Sequence, residues 1–229
     1  MELNVNGISV FFKKKRVLDN ISFSMDSGVY GIVGENGAGK TTLFRSILGL
    51  QKYHGDIIKN DINHIGYVPQ KFDCLPGLSL GETLQYFGCL QGISKPKRKI
   101  MAEELLEKVN LAEEKEKKVR ELSGGMLRRL GIAQALVSNP ELLIMDEPTA
   151  GLDPAERIRF RNILESIRGE RIILVSSHEI REMEYFCDAF LFLHQGIVVM
   201  IDTAERLREH YKIDDMEEIY FRVVGGGGK

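Results

Sequence analysis

The segment Gly34-Glu35-Asn36-Gly37-Ala38-Gly39-Lys40-Thr41 limits the fold of this 229-residue chain more than any other. It has the form G-x-x-x-x-G-K-[ST], the Walker A phosphate-loop pattern. A short apolar run, residues 30–33, leads straight into its first glycine, and a helical pattern over 41–50, ending near Gly49, leaves from its end. Glycines here let successive backbone N–H groups turn inward as a nest for an anion. A helix beginning near Gly39 aims its positive dipole end at the same place. Lys40 supplies a point charge for the β- and γ-phosphates, and the Thr41 hydroxyl can ligate Mg²⁺. The pattern asks for a buried strand behind the loop and a helix in front of it.

The rest of the chain reads as α/β. Ile21, Phe23 and Met25 alternate with Ser22 and Ser24, a period-two strand with one buried face. Short strands follow at 56–58 and 65–68. From Ser79 to about Val137 the period is helical: Met101, Leu105 and Val109 share one face, and Pro96 suits a helix start. Residues 142–146 and 171–176 are the near-continuous apolar runs of a buried parallel sheet, with a helix over 154–168 between them. Gln195-Gly196 between 189–193 and 197–201 signals a hairpin.

Composition excludes other classes. Hydrophobic residues make up 43%, yet no apolar run approaches the roughly 20 residues that span a bilayer, so any membrane role would come through a partner. The formal net charge of −2 argues against a nucleic-acid binder. Cys74, Cys89 and Cys187 lack CxxC spacing, which argues against a zinc site or disulfide framework and fits a reducing compartment. The start of the chain lacks the basic and apolar regions of a secretory signal.

A second site element is the apolar strand Leu142-Leu143-Ile144-Met145 ending in Asp146-Glu147, the Walker B layout. Asp146 is placed to hold magnesium, and Glu147 to accept a proton from the attacking water or orient it. The base-reading N-K-x-D motif of a GTPase is absent. The deciding segment is Leu122-Ser123-Gly124-Gly125-Met126. It resembles the L-S-G-G-x signature of ATP-binding cassette (ABC) proteins. Residues 122–154, including Asp146-Glu147-Pro148-Thr149-Ala150-Gly151-Leu152-Asp153-Pro154, resemble that family throughout, as does the chain from about Leu3 to Ile201. A serine N-cap followed by small residues also leaves N–H groups open to an anion.

The resemblance implies an α/β P-loop NTPase core with an N-terminal antiparallel β portion and an inserted helical subdomain. The implied cassette spans 1–224, with core 1–70 and 136–201, helical subdomain about 71–135 and C-terminal extension 202–224. Residues 225–229 read as a flexible tail or a cloning scar. The implied reaction is magnesium-dependent ATP hydrolysis. Asn36, Gly37, Ala38, Gly39, Lys40, Thr41 and Thr42 would hold nucleotide. Gln70 resembles the glutamine-loop residue that contacts magnesium, so Thr41, Gln70 and Asp146 form the implied metal set. Glu147 and His178 are the implied catalytic pair, His178 resembling the switch histidine at the γ-phosphate. Ser123 and Gly125 would cap the γ-phosphate bound to a facing cassette, in a homodimer or heterodimer, and Asp153 would touch that subunit. Phe12, with Phe11 as alternative, would stack on adenine; strand alternation sends only one of them there and the other to the core.

The implied setting is a membrane permease partner, at the cytoplasmic face of the plasma membrane. Met126, where many members carry Gln, resembles cassettes paired with exporter-type permeases. The apolar residues Phe72, Leu75, Leu78 and Leu80 are a candidate permease-docking surface, next to a helix led by Ser79 and Glu82. A soluble cassette of translation or DNA repair is the alternative. The repair type carries a long coiled coil between Walker A and signature, and the translation type usually has two cassettes per chain.

Overall fold

Ile21, Phe23 and Met25 do line one buried face, on a strand from Lys15 to Met25. It belongs to a computed structural model that describes residues 1–226. The strands in chain order are β1 (Glu2–Phe12), β2 (Lys15–Met25), β3 (Gly28–Val33), β4 (His54–Asn60), β5 (Ile65–Val68), β6 (Leu142–Asp146), β7 (Ile172–Ser177), β8 (Ala189–His194) and β9 (Ile197–Thr203). The helices are α1 (Lys40–Ile47), α2 (Leu80–Leu90), α3 (Lys95–Lys108), α4 (Gly124–Ala135), α5 (Pro154–Ile167), α6 (Ile180–Met183), α7 (Ala204–Tyr211) and α8 (Met216–Gly226). Helix α8 therefore includes Gly225 and Gly226 of the expected tail; 227–229 lie outside the described residues.

The chain divides into two compact units, Met1–Ile62 with Glu170–Lys229, and Asn63–Gly169. In the first, β2, β1 and β4 form an antiparallel sheet, with β1 in the middle. Alternate residues Leu3, Val5, Ile8 and Val10 of β1 are fully buried, the spacing broken once by the bulge between Val5 and Ile8. A second sheet of the same unit has β3 between β7 and β8, parallel to both, and β9 antiparallel to β8. Every residue of β7 is buried, as the continuous apolar run requires.

The β8–β9 hairpin turns at Gln195 and Gly196, with φ of 46° and 82°. Two positive φ values match the twist of the flanking strands. Gly196 also meets the chain closely: a Cβ there would lie 2.2 Å from the Val17 carbonyl oxygen. Its N–H donates to Ala38 O at 2.9 Å, and its carbonyl accepts from Asp19 N at 2.8 Å. The turn thus braces the phosphate loop from behind.

In the second unit β5 and β6 pair in parallel, and α2, α3 and α4 pack on one another. Ser79 and Glu82 close a capping box on α2: Glu82 N donates to Ser79 Oγ at 3.2 Å, and Ser79 N to the Glu82 carboxylate at 2.7 Å. Pro96 lies in the first turn of α3. The buried face of α3 is wider than Met101, Leu105 and Val109 suggest. Ala102 and Leu106 are fully buried while Met101 is half-buried, because α3 packs against α2, α4 and α5 and not against one neighbour. Among the described residues no helix is long and apolar enough to cross a membrane.

Gly196→Ala is expected to lower stability by about 2 kcal/mol or more, since the added methyl combines a left-handed backbone with a backbone clash. For a chain of this size that lowers Tm by roughly 4–8 °C. Gly77→Ala, where nothing lies within 4 Å of the new carbon, is the control and should melt with the wild type. Equal melting of all three proteins would show the turn to be unconstrained.

Candidate functional site

Strand register places the candidate residues of the first unit. Val33, the last residue of β3, stands opposite Ser177 of β7 and Phe192 of β8. Parallel strands that end together deliver their next residues to one edge. Gly34, which opens the phosphate loop, and His178 therefore leave the sheet side by side. Gly37 and Gly39 take φ of 85° and 113°, values open to glycine, and Gly39 is the N-cap of α1. Lys40 begins α1 with only 6% exposure. Its ammonium donates to Gly34 O at 2.6 Å and Glu35 O at 3.4 Å, so the charge is held inside the loop. Ala38 is buried; Asn36, Gly37 and Thr41 are exposed and Thr42 is half-buried.

His178 is exposed, with Nε2 at 4.0 Å from the Glu179 carboxylate. The C-terminal helix also reaches this region. Tyr220 of α8, 5% exposed, sets its ring edge-on to Phe192 at 5.3 Å, and Phe192 pairs with Val33 just before the loop. Burial pushes the Tyr220 phenol pKa up, and the Glu35 carboxylate adds to this. Neither Phe11 nor Phe12 is core, which corrects the expectation that one would be: they are 47% and 49% exposed. They close β1 beyond a register shift at Val10/Phe11, where the sheet no longer covers either face. Phe11 stacks edge-on against His54 at 5.9 Å, leaving Phe12 as the ring with no aromatic partner among the described residues.

The second unit places its own candidate residues by the same means. Val68 of β5 stands opposite Met145 of β6. Pro69-Gln70 and Asp146-Glu147 thus emerge at one carboxyl edge. Asp146 and Glu147 are 1% and 6% exposed, whereas Gln70 is exposed. Glu147 has φ of 49°, a left-handed conformation that costs a non-glycine residue about 1–3 kcal/mol.

Ser123 caps α4 as the residue pattern implied, accepting from Met126 N at 3.2 Å. Ser123 and Gly124 are exposed and Gly125 is half-buried. Asp153 caps α5, its carboxylate accepting from Glu156 N at 2.9 Å. A cleft of about 350 Å³ is lined by Gln70, Phe72, Arg128 and Leu152 among others. A second, of about 600 Å³, is lined by Tyr67, Phe72, Phe87 and Gln91 among others. Of the four candidate docking residues, Leu80 is fully buried at the head of α2 and is removed from the set. Leu75 is 49% exposed, while Phe72 and Leu78 are half-buried.

Two arginines escaped the sequence reading. Arg129, 7% exposed, donates from Nη1 to Val109 O at 3.1 Å and Asn110 O at 2.6 Å. Its Nε approaches Glu156 Oε2 to 3.2 Å without a linear hydrogen bond, and Glu156 is itself buried and ion-paired with Arg159. A Cβ on Gly125 would meet the Glu156 carboxyl carbon at 2.6 Å, so the glycine of the signature allows this carboxylate its place. Arg128 turns to the carbonyls of Pro69 and Gln70. The available signal was a charge interrupting the apolar period of α4 between Met126 and Leu130.

A family model described as ABC transporter matches residues 18–150. The linearmycin resistance ATP-binding protein LnrL of Bacillus subtilis is 36% identical over 221 residues, 90% of this chain and 70% of that protein. The lantibiotic transport ATP-binding protein SrtF of Streptococcus pyogenes is 33% identical, over 90% of this chain and 94% of its own. Among solved structures, an ATP-binding subunit of an ABC transporter superposes with a TM-score of 0.86 at 26% identity, covering 97% of this chain and 99% of that one. The dimeric cassette MJ0796, bound to ADP and Pi, shares the fold with a TM-score of 0.79 at 23% identity, over 88% and 98% of the two chains.

Arg129→Met is expected to destabilise the chain by about 2 kcal/mol in urea unfolding, because it takes a donor from the Val109 and Asn110 carbonyls and leaves the buried Glu156 carboxylate with one cation fewer beside it. Adding Glu156→Gln should restore part of that loss, since the buried group then carries no charge for Arg129 to offset. Strictly additive losses would show that the two groups do not interact.

Proposed function

The chain belongs to the ABC transporter family as an ATP-binding, ATP-hydrolysing subunit, and on that premise we propose that it powers export through a separate membrane permease, using magnesium and a head-to-tail pair of cassettes. Export is supported by relatives named for linearmycin resistance, Nod factor export and lantibiotic transport, and by Met126 in the signature. A permease partner is supported by relatives named as transporter ATP-binding proteins. The proposed location is the cytoplasmic face of the plasma membrane. The proposed division is a core of 1–70 and 136–201, a helical subdomain of about 71–135 and an extension over 202–224.

The residue roles follow from chemistry. Lys40 and the loop amides hold the β- and γ-phosphates, with Asn36, Gly37, Ala38, Gly39, Thr41 and Thr42 around them. Phe12 stacks on adenine, supported by its exposure beside a Phe11 already engaged with His54. Thr41, Asp146 and Gln70 offer hydroxyl, carboxylate and amide oxygens. These hard donors suit magnesium, which keeps several waters and shares phosphate oxygens with its substrate. Held by these residues, magnesium would supply positive charge against the charge that develops on the phosphates.

Hydrolysis needs a water to attack the γ-phosphorus while the bond to the β,γ-bridging oxygen breaks and ADP departs. Glu147 takes the water's proton or orients it. His178 contacts the γ-phosphate and steadies the charge that spreads over its oxygens. Ser123 and Gly125 of a facing cassette cap the same phosphate with N–H groups. The observation that carries this reading most is strand register: Val33 opposite Ser177 and Val68 opposite Met145 bring each pair of motif residues to a carboxyl edge. The cleft with Tyr67, Phe72 and Phe87, near the exposed Tyr86 and Leu90 of α2, is proposed to receive a permease segment.

Glu147→Gln is expected to bind ATP as wild type does but to hydrolyse it at least about 100-fold more slowly, because an amide takes no proton. ATP-loaded mutant should elute as a dimer in size-exclusion chromatography with light scattering. Wild-type turnover would remove Glu147 from the chemistry; a monomer would remove only self-pairing. Ser123→Arg should leave monomer ATP affinity within about twofold while turnover falls by about 100-fold or more, because the signature acts on a partner's nucleotide. Equal loss of affinity and turnover would mean that the site is complete within one chain.

A further inference from the structure

The two arginines of α4 face opposite tasks. Arg129 anchors the helix: it donates to the carbonyls of Val109 and Asn110 beyond the end of α3 and approaches the buried Glu156 of α5. Arg128, one residue earlier, reaches the other way. Its Nη1 donates to Pro69 O at 3.0 Å and its Nη2 to Gln70 O at 3.1 Å. These are consecutive carbonyls, and the guanidinium takes one with each terminal nitrogen. A planar fork that engages two successive peptide oxygens fixes orientation as well as distance. The segment it holds has just left β5 at Val68 and is no longer tied by the strand ladder. The cleft on this side is lined by Gln70, Phe72, Leu127, Arg128 and Leu152, so the fork lies along its wall. Burial opposes the Arg128 charge and the nearby Asp146 carboxylate favours it.

We propose that Arg128 is a positioning residue that locks the Gln70 backbone to the helix whose cap is Ser123. Any displacement of α4 when a facing cassette engages Ser123 is then passed to Gln70 through two hydrogen bonds. Signature engagement and the placement of the Gln70 amide become one event. This rests on the reading of Gln70 as a residue that acts at the magnesium ion and the water.

The test uses the full chain with Arg128→Met, which keeps most of the aliphatic stem and removes the fork, and with Arg128→Lys, which keeps charge but has no fork. Gln70→Ala and the Arg128→Met/Gln70→Ala double variant complete a cycle. For Arg128→Met, kcat should fall about tenfold or more while KM for ATP stays within about twofold, because the geometry of one catalytic group is lost and the phosphate loop is not. Half-maximal turnover should need more Mg²⁺. Without nucleotide or metal, hydrogen–deuterium exchange should quicken at the amides of residues 70–73 and stay unchanged along α4, which a merely unfolded helix would not produce. Arg128→Lys should fall between, since one ammonium cannot hold both carbonyls. On the Gln70→Ala background, Arg128→Met should add little. Normal kcat and exchange in Arg128→Met, beside an impaired Gln70→Ala, would overturn the proposal alone. Full activity in Gln70→Ala would instead overturn the role of Gln70 and with it the premise. Fully additive losses would show that Arg128 acts elsewhere. If Arg128→Met does not fold, faster exchange at 70–73 with intact α4 in Arg128→Lys decides the matter, and unchanged exchange there counts against the tether.

Discussion

An anion nest has to be held from outside. A loop that turns its N–H groups inward gives up the ladder hydrogen bonds that would otherwise fix it, and its glycines raise the entropy of the unfolded chain. Here the holding is done by groups far away in sequence. Gly196 of the β8–β9 turn donates to Ala38, the Lys40 ammonium closes on Gly34 and Glu35, and β3 runs between β7 and β8 up to Val33. The loop sits at the end of a strand whose neighbours are buried at every residue of β7 and all of β8 but His194. The C-terminal helix adds to this support through Tyr220 on Phe192.

The second unit solves a different problem. It must present an exposed helix start at Ser123 and still keep α4 rigid. Arg129 does this with charge, buried where charge is expensive, by meeting two carbonyls and approaching one carboxylate. The signature glycine Gly125 takes part, because a Cβ there would push the Glu156 carboxylate from its place. A small residue that reads as a phosphate-facing feature therefore also makes room for the Glu156 carboxylate. The two uses are compatible because α4 offers its N–H groups at its start and its flank to Glu156.

Strain and exposure are distributed unevenly among the site residues. Glu147 is buried with a left-handed backbone, and Asp146 beside it is nearly inaccessible. Gln70, His178 and Ser123 are exposed. The two acids at the end of β6 are thus held in place by the surrounding chain, while Gln70, His178 and Ser123 lie at the surface. Fixed carboxylates need no reorganisation in the reaction, and exposed groups can respond to what docks against them.

By itself the sequence determined the phosphate loop, both strand-end acids, the Ser123 cap, the capping box at Ser79 and Glu82, the β8–β9 hairpin and the family. Each is written in residues close together in the chain, where glycine conformation, capping chemistry and hydrophobic period act directly. Tertiary structure alone decided which residues face one another across long separations. Arg128 meets Pro69 and Gln70, Arg129 meets Val109 and Glu156, Tyr220 lies on Phe192, and Leu80 is core while Leu75 is not. It also decided that Phe11 and Phe12 are both exposed, because a bulge at the end of β1 breaks the alternation that would have buried one. Local pattern specifies which conformation a segment prefers. A buried charge or a half-covered ring depends on where the chain returns from elsewhere, and that is set by packing of whole elements.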